Sequence, residues 1–328
     1  MSTVTVSTPS GLSAALQVAQ AGDTILLAAG TYSGLSFNNL NFSSSVTIQS
    51  ADAAHPATLT NFTMNGSSGL SFNNLEFSAV AALDPYYAFR IYQSNNVQFS
   101  NLNLHGSMDG VPGNDVTGFL LSGNTNVSVV NSQFQQLATG ITQLNNTGLT
   151  ISGNSFHDIQ TDGIDGGGSS YVTISQNNFT NFYPGPTLHP DAIQFWTTNT
   201  TSSAHDIVIS GNTIVRGVGG VTQGIFMGNE LNLPYQNVTI TNNSITGELY
   251  HGLTIYDGQN VTINGNTVQA YTDQQSWIDV VATTGLQMTG NQASWYLIDN
   301  VQVATPAGNA VIAPVGAPAP GLASGSGL

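Results

Sequence analysis

The sequence contains no cysteine and no lysine, and its 328 residues include two arginines, Arg90 and Arg216. The lack of cysteine excludes disulfides, thiolate nucleophiles and thiolate metal sites, so a metal would depend on His and carboxylate ligands. The scarcity of positive charge excludes direct nucleic-acid binding, which relies on Lys and Arg contacts to phosphate. Electrostatic docking on anionic lipid is excluded for the same reason. No apolar run reaches the ~18 residues expected of a membrane-spanning helix. The first ten residues are polar and carry neither the basic nor the apolar region of a signal peptide.

The chain does contain 17 acids, for a formal net charge of -15. Charged residues make up 6%, against roughly 25% in ordinary soluble domains. With 40% apolar residues, including 14 Phe, 11 Tyr and 3 Trp, the chain can fill a sizeable core. An acidic, cysteine-free chain rich in Asn, Ser, Thr and Gly suits an extracellular protein, exported without an N-terminal signal or shortened at its start. The stretch 304–328 is rich in Pro, Ala and Gly and reads as a tail or linker. Residues 1–303 are then a single domain.

Self-similarity organises that domain. Gly148-Leu-Thr-Ile-Ser-Gly-Asn-Ser-Phe156 recurs from Tyr171, Asp206, Asn237, Asn260 and Gly285, and earlier from Asn126, with weaker copies from Gly69 and Asn96. Each copy alternates apolar and polar, as a strand does. An amide holds one place throughout: Asn154, Asn177, Asn212, Asn243, Asn266 and Asn291. Amides stacked at one position can bond to their copies above and below, which predicts an asparagine ladder. Repeats this short bury a core only by stacking.

A second motif lies between the copies, as in Asp162-Gly-Ile-Asp-Gly166, Asp191-Ala-Ile-Gln-Phe195 and His251-Gly-Leu-Thr-Ile255. Two strands per short repeat, with Gly and Asn turns, predict an all-β parallel solenoid. The amphipathic stretch 12–20 is expected to be a short N-terminal capping helix.

These repeats resemble the right-handed parallel β-helix proteins of the pectin-lyase-like superfamily, over roughly residues 1–303. The resemblance implies a right-handed β-helix whose sequence columns become spatial columns, with coils about 4.8 Å apart. The column before the glycine then reads Tyr87, Thr117, Thr139, Asp162, Asp191, Gln223, His251 and Ser276. The column two residues after it reads Arg90, Leu120, Thr142, Asp165, Gln194, Phe226, Thr254 and Asp279. Asp162, Asp165 and Asp191 fall on adjacent coils. Glycosidases need two carboxyls about 5–9.5 Å apart, one protonated as acid and one acting as base or nucleophile. Crowding of like charges raises one proton affinity and so makes the acid.

The widest spacings between copies, 35 and 31 residues, follow Tyr171 and Asp206. The extra residues include His189 and Glu230, and such insertions are expected to wall a groove around Asp191. His189 is a candidate proton shuttle or metal ligand, and His251 lies two coils beyond Asp191 in the same column. Trp196, Tyr183, Tyr250, Tyr256 and Trp277 are candidate sugar-stacking platforms. Arg90, Gln194, Gln223 and Glu230 are candidate polar contacts to substrate.

Thr161-Asp-Gly-Ile-Asp165 is similar to the Asn-Thr-Asp-Gly-Ile-Asp strand of polygalacturonase-type hydrolases, and 250–255 to their Gly-His-Gly strand. That resemblance implies Asp162 and Asp191 as acid/base residues with His251 in support. This sequence departs from it in three ways: Pro190-Asp191 replaces a paired Asp-Asp, the histidine falls one coil late, and a later Arg-x-Lys is missing. The same strands also resemble those of alginate C5-epimerases, with Gly166-Gly167 in place of Pro-His. The leading expectation is therefore a monomeric, extracellular enzyme that cleaves a polysaccharide with Asp162, Asp165 and Asp191 and requires no cofactor. One alternative is a Ca²⁺-assisted polyuronate lyase or epimerase. The other is a non-catalytic glycan-binding or adhesin-like solenoid.

Overall fold

The alternation of apolar and polar residues translates directly into strands. In the computed structural model, which describes residues 1–80 and 84–318, the repeat starting at Gly148 becomes the strands Thr147–Ser152 and Ser155–Ile159. The second motif follows as the strand Ile164–Gly167. Each coil adds one strand to each of three sheets, and each sheet contains twelve strands. Pairing from coil to coil is parallel throughout, up to an antiparallel turn of Trp295–Ile298 with Val301–Gln302. The result is a right-handed parallel β-helix. Below, the first, second and third sheets are those containing Thr147–Ser152, Ser155–Ile159 and Ile164–Gly167.

Leu149, Ile151, Phe156, Ile159 and Ile164 of this coil point inward and are fully buried. Aromatic rings stack along the axis, with centroids 4.7 Å apart for Phe134–Phe156 and 4.8 Å for Phe156–Phe179. The expected ladder forms between the first and second sheets. Asn177 Oδ1 accepts from the backbone N–H and Nδ2 of Asn154, and Asn177 Nδ2 donates to the Ile151 carbonyl at 2.9 Å. The pattern repeats through Asn212, Asn243, Asn266 and Asn291. A second ladder, which the repeat comparison missed, links Asn124 to Asn146 and Asn146 to Ser169.

The ends differ from expectation in detail. The capping helix is Pro9–Val18, started by Thr8, whose hydroxyl accepts from the Gly11 N–H. Its Leu12 and Leu16 close the end of the core. At the other end the stack continues past residue 303, where the sequence suggested a tail. Ala310–Val311 pairs with Gln292–Ala293, and Asn309 extends the ladder beyond Asn291. Pro and Ala content misled here because two ladder residues and one asparagine are enough to add a coil edge. Among the described residues no helix is long and apolar enough to cross a membrane.

Candidate active site

The chain bends where the second sheet hands over to the third, and this bend shapes the site. Where the second motif carries a glycine, as at Gly118, Gly140, Gly163 and Gly224, it sits against the next coil. A Cβ at Gly163 would lie 2.7 Å from the Ala192 carbonyl oxygen and 2.7 Å from the Phe179 ring. With that position turned inward, Asp162 before it and Asp165 two residues after it face outward on the third sheet.

The ladder register bears out the second column: Arg90, Leu120, Thr142 and Asp165 pair in succession, as do Gln194, Phe226, Thr254 and Asp279. In the first column Asp191 pairs with Gln223. One correction applies at its end. A bulge beside Gly252 shifts the register, so His251 pairs with Trp277, and Ser276 with Tyr250.

Asp162, Asp165 and Asp191 come together as expected. The Asp191 N–H donates to Asp162 Oδ1 at 2.7 Å, and Gln194 Nε2 donates to Asp191 Oδ2 at 3.0 Å. Asp191 is fully buried and Asp165 is 8% exposed, and each has an Oδ1 with no partner. Asp162 is half-buried and lines a cleft of about 140 Å³ with Thr161, Leu188, His189, Pro190 and Gln194.

Burial raises the proton affinity of all three acids, and for Asp165 and Asp191 the charge of Asp162 raises it further. Asp162 is pushed up only to about 6, because the Asp191 N–H and the nearby His189 favour its charged form. Asp165 and Asp191 are held well above the usual carboxylate range. These titrations belong to the cluster as a whole.

Sequence reasoning missed a fourth member. Glu248 is 1% exposed, has an unpartnered Oε2 and adds its charge to the field at Asp191. It precedes the strand Tyr250–Tyr256 in a loop outside both repeat columns, so only its burial reveals it. Arg216, the nearby cation, is already held by Asp273 and Gln274 at 2.8 Å and lies over the Tyr271 ring.

The other candidates divide into three groups. His189 is exposed on the cleft wall beside Asp162. Gln223 lies beside Asp191 in the ladder, and Gln194 bonds to it. On the far side His251 packs against Phe226 and Trp277, with Nδ1 bonded to the Thr254 hydroxyl at 2.9 Å. Burial lowers the proton affinity of His251, and His189 lowers it further. Tyr250 stacks on Trp277 with centroids 5.1 Å apart, forming an aromatic shelf.

The remainder lie apart from the acids. Glu230 is tied to the preceding coil, where its Oε2 accepts from the Thr197 N–H and hydroxyl. The second insertion therefore sits at the opposite end of the strand Gln223–Met227 from Asp191 and does not wall the cleft. Trp196 is also at that end, bridged to Gly167. Tyr183 opens the first insertion and donates its N–H to Ile159. The Tyr256 hydroxyl bonds to Asn300. Arg90 is three ladder steps from Asp165 and paired with Asp84. Among the described residues no group of three or more His or carboxylate side chains is arranged to hold a metal ion.

No curated protein matches the sequence. The fold resembles an alginate lyase from Paenibacillus sp. str. FPU-7, with a TM-score of 0.52, 18% identity, and 96% of this chain and 99% of that one covered. It also resembles the A-module of a mannuronan C-5 epimerase from Azotobacter vinelandii (TM-score 0.56, 15% identity, 94% of each chain). A third neighbour is a surface adhesin of Streptococcus pneumoniae (TM-score 0.56, 15% identity, 90% of this chain and 88% of that one). At such identities the likeness is one of fold. The family described as the right handed beta helix region matches residues 60–185 and 117–301. The match spans most of the stacked coils, and the chain belongs to the right-handed β-helix family.

Proposed function

We propose that the protein hydrolyses glycosidic bonds of an extracellular polysaccharide with the carboxyl cluster of the third sheet. The observation that carries this reading is the contrast between Asp162 and Asp165, two outward carboxyls separated by one buried Gly-Ile step. Asp162 opens on the cleft and accepts a backbone N–H, so it ionises first. Asp165 is buried with an unpartnered oxygen and keeps its proton. Two carboxyls driven to different proton affinities supply the acid and the base of glycoside hydrolysis.

Over the reaction, a water oxygen bonds to the anomeric carbon and the bond to the leaving sugar breaks. Asp165 gives its proton to the leaving oxygen, and Asp162 takes a proton from the water. Asp191 is a positioning residue: its N–H holds Asp162, and its carboxyl is held by Gln194. The Tyr250–Trp277 shelf offers an apolar face to a sugar ring.

Mass spectrometry of products from neutral and uronate polysaccharides tests the proposal. Fragments carrying one added water are expected, and Asp162→Asn should slow their release roughly 10²–10⁴-fold, the scale of one lost proton-transfer group. The rate should rise with pH through about 6 as Asp162 ionises, then fall where Asp165 deprotonates. Fragments with an unsaturated end would sink the hydrolase reading and make neutral His251 the proton acceptor.

A further inference from the structure

We infer that the cleft around Tyr87 and Arg90 is a second sugar subsite on the strip of Asp162, and that the substrate is an uncharged glycan chain long enough to span both. The inference takes its reaction from the proposed function, but its binding claim stands separately.

The cleft has a volume of about 130 Å³ and is lined by Leu35, Asn61, Thr63, Asp84, Tyr87 and Arg90, among others. Its position in the ladder links it to the acids. Arg90 pairs with Leu120, Leu120 with Thr142, and Thr142 with Asp165. These are three steps of one outward column, about 14 Å at the parallel strand spacing. That is farther than a single sugar reaches, so one ligand filling both clefts must be a chain running along the solenoid axis. The two residues between them, Leu120 and Thr142, are uncharged and buried, 6% and 5% exposed. Burial raises the proton affinity of the Tyr87 phenol, and the charge of Asp165 raises it further.

The chemistry of the cleft selects a neutral ligand. Arg90 Nη1 donates to Asp84 Oδ2 at 2.9 Å, and Nη2 donates to the Thr63 hydroxyl at 3.0 Å. Asp84 Oδ1 accepts the N–H groups of Tyr86 and Tyr87, and Tyr87 lines the cleft. A guanidinium already neutralised by a carboxylate offers donors and acceptors to hydroxyl groups but no net attraction for an anion. A uronate would have to displace Asp84 and approach a chain of net charge -15. Tyr87, whose ring lies 6.5 Å from that of Tyr86, provides the apolar face that a sugar ring packs against.

The test is calorimetric binding of neutral and uronate oligosaccharide ladders, from the disaccharide upward, to the full chain carrying Asp162→Asn so that nothing is cut. Affinity for a neutral ladder should step up at the length that spans both clefts. Tyr87→Ala should remove that step, roughly tenfold, the scale of one lost aromatic face. Tyr87→Leu, which keeps the bulk but not the ring, guards against a folding defect and should remove the step as well. Four results would overturn the subsite: affinity that saturates at the disaccharide, a step unchanged by both variants, a step confined to uronate ladders, or no binding by any ladder. Hydrolysis of the same glycans by the unsubstituted chain reports separately on the acid cluster.

Discussion

Two stacked columns of polar side chains run along this solenoid, and they obey opposite rules. In the asparagine ladder between the first two sheets every coil from Asn154 to Asn309 supplies an amide, which both donates and accepts. Asn177, for example, accepts from Asn154 and donates to Asn212 and the Ile151 carbonyl. The outward side of the third sheet and the loop that carries Glu248 hold a group of buried carboxyls, which when ionised only accept. Asp165 Oδ1, Asp191 Oδ1 and Glu248 Oε2 are buried without partners. A column of amides satisfies itself, whereas a group of carboxyls does so only by holding protons. The ladder stabilises the fold, and the strip works against it. Costly buried groups of this kind concentrate where chemistry is done.

Breaking the ladder should give the largest stability effect. Asn212→Ala orphans the Asn177 N–H and the Ile174 carbonyl, both deep in the stack. A loss of about 2–3 kcal/mol is expected from chemical denaturation, with little dependence on pH. A loss within the range of surface substitutions, about 0.5 kcal/mol, would mean that the ladder is ornamental.

The strip should respond to pH in the direction opposite to ordinary acid denaturation. A carboxyl with raised affinity in the folded state binds protons preferentially there. Its contribution is complete below its unfolded value and is lost as pH climbs through the folded value. For Asp162 that window runs from 3.8 to about 6, and Asp165, Asp191 and Glu248 extend it upward. Melting temperature should therefore be higher in mildly acidic buffer than at neutral pH. A melting temperature that climbs steadily toward neutrality would contradict the burial of these acids as charged-form penalties.

The two columns were not equally legible in the sequence. The ladder and the β-helix could be read because most coils repeat the same physical demand: inward apolar residues, an amide at the turn, a glycine at the bend. The cluster Asp162, Asp165 and Asp191 could be read because it lies in those repeats. Glu248 could not, since it sits in a loop that no repeat aligns. Glu230 looked like a groove residue because it lies in a long insertion, but the insertion's length did not say which end of the strand it decorates. Ser276 was misplaced because the bulge at Gly252 changes the register without changing the motif. Sequence columns report what every coil must do, whereas function depends on the exceptions.

Glu248 allows the smallest and sharpest test of the contrast. Its carboxyl is enclosed beside Asp191, and Arg216, whose charge would favour ionisation, is already committed to Asp273 and Gln274. Glu248→Gln keeps the shape, removes the charge and adds a donor that can reach an acceptor carboxyl. In acidic buffer, where Glu248 holds its proton, the variant and the parent should melt alike. As pH rises through neutrality the parent must either hold that proton against the solvent or bury a charge, and the variant does neither. The variant should then gain on the order of 1 kcal/mol, growing with pH, the scale of one buried polar group relieved. A constant loss at every pH would instead mean that Glu248 is a satisfied structural acid and no member of the acid cluster.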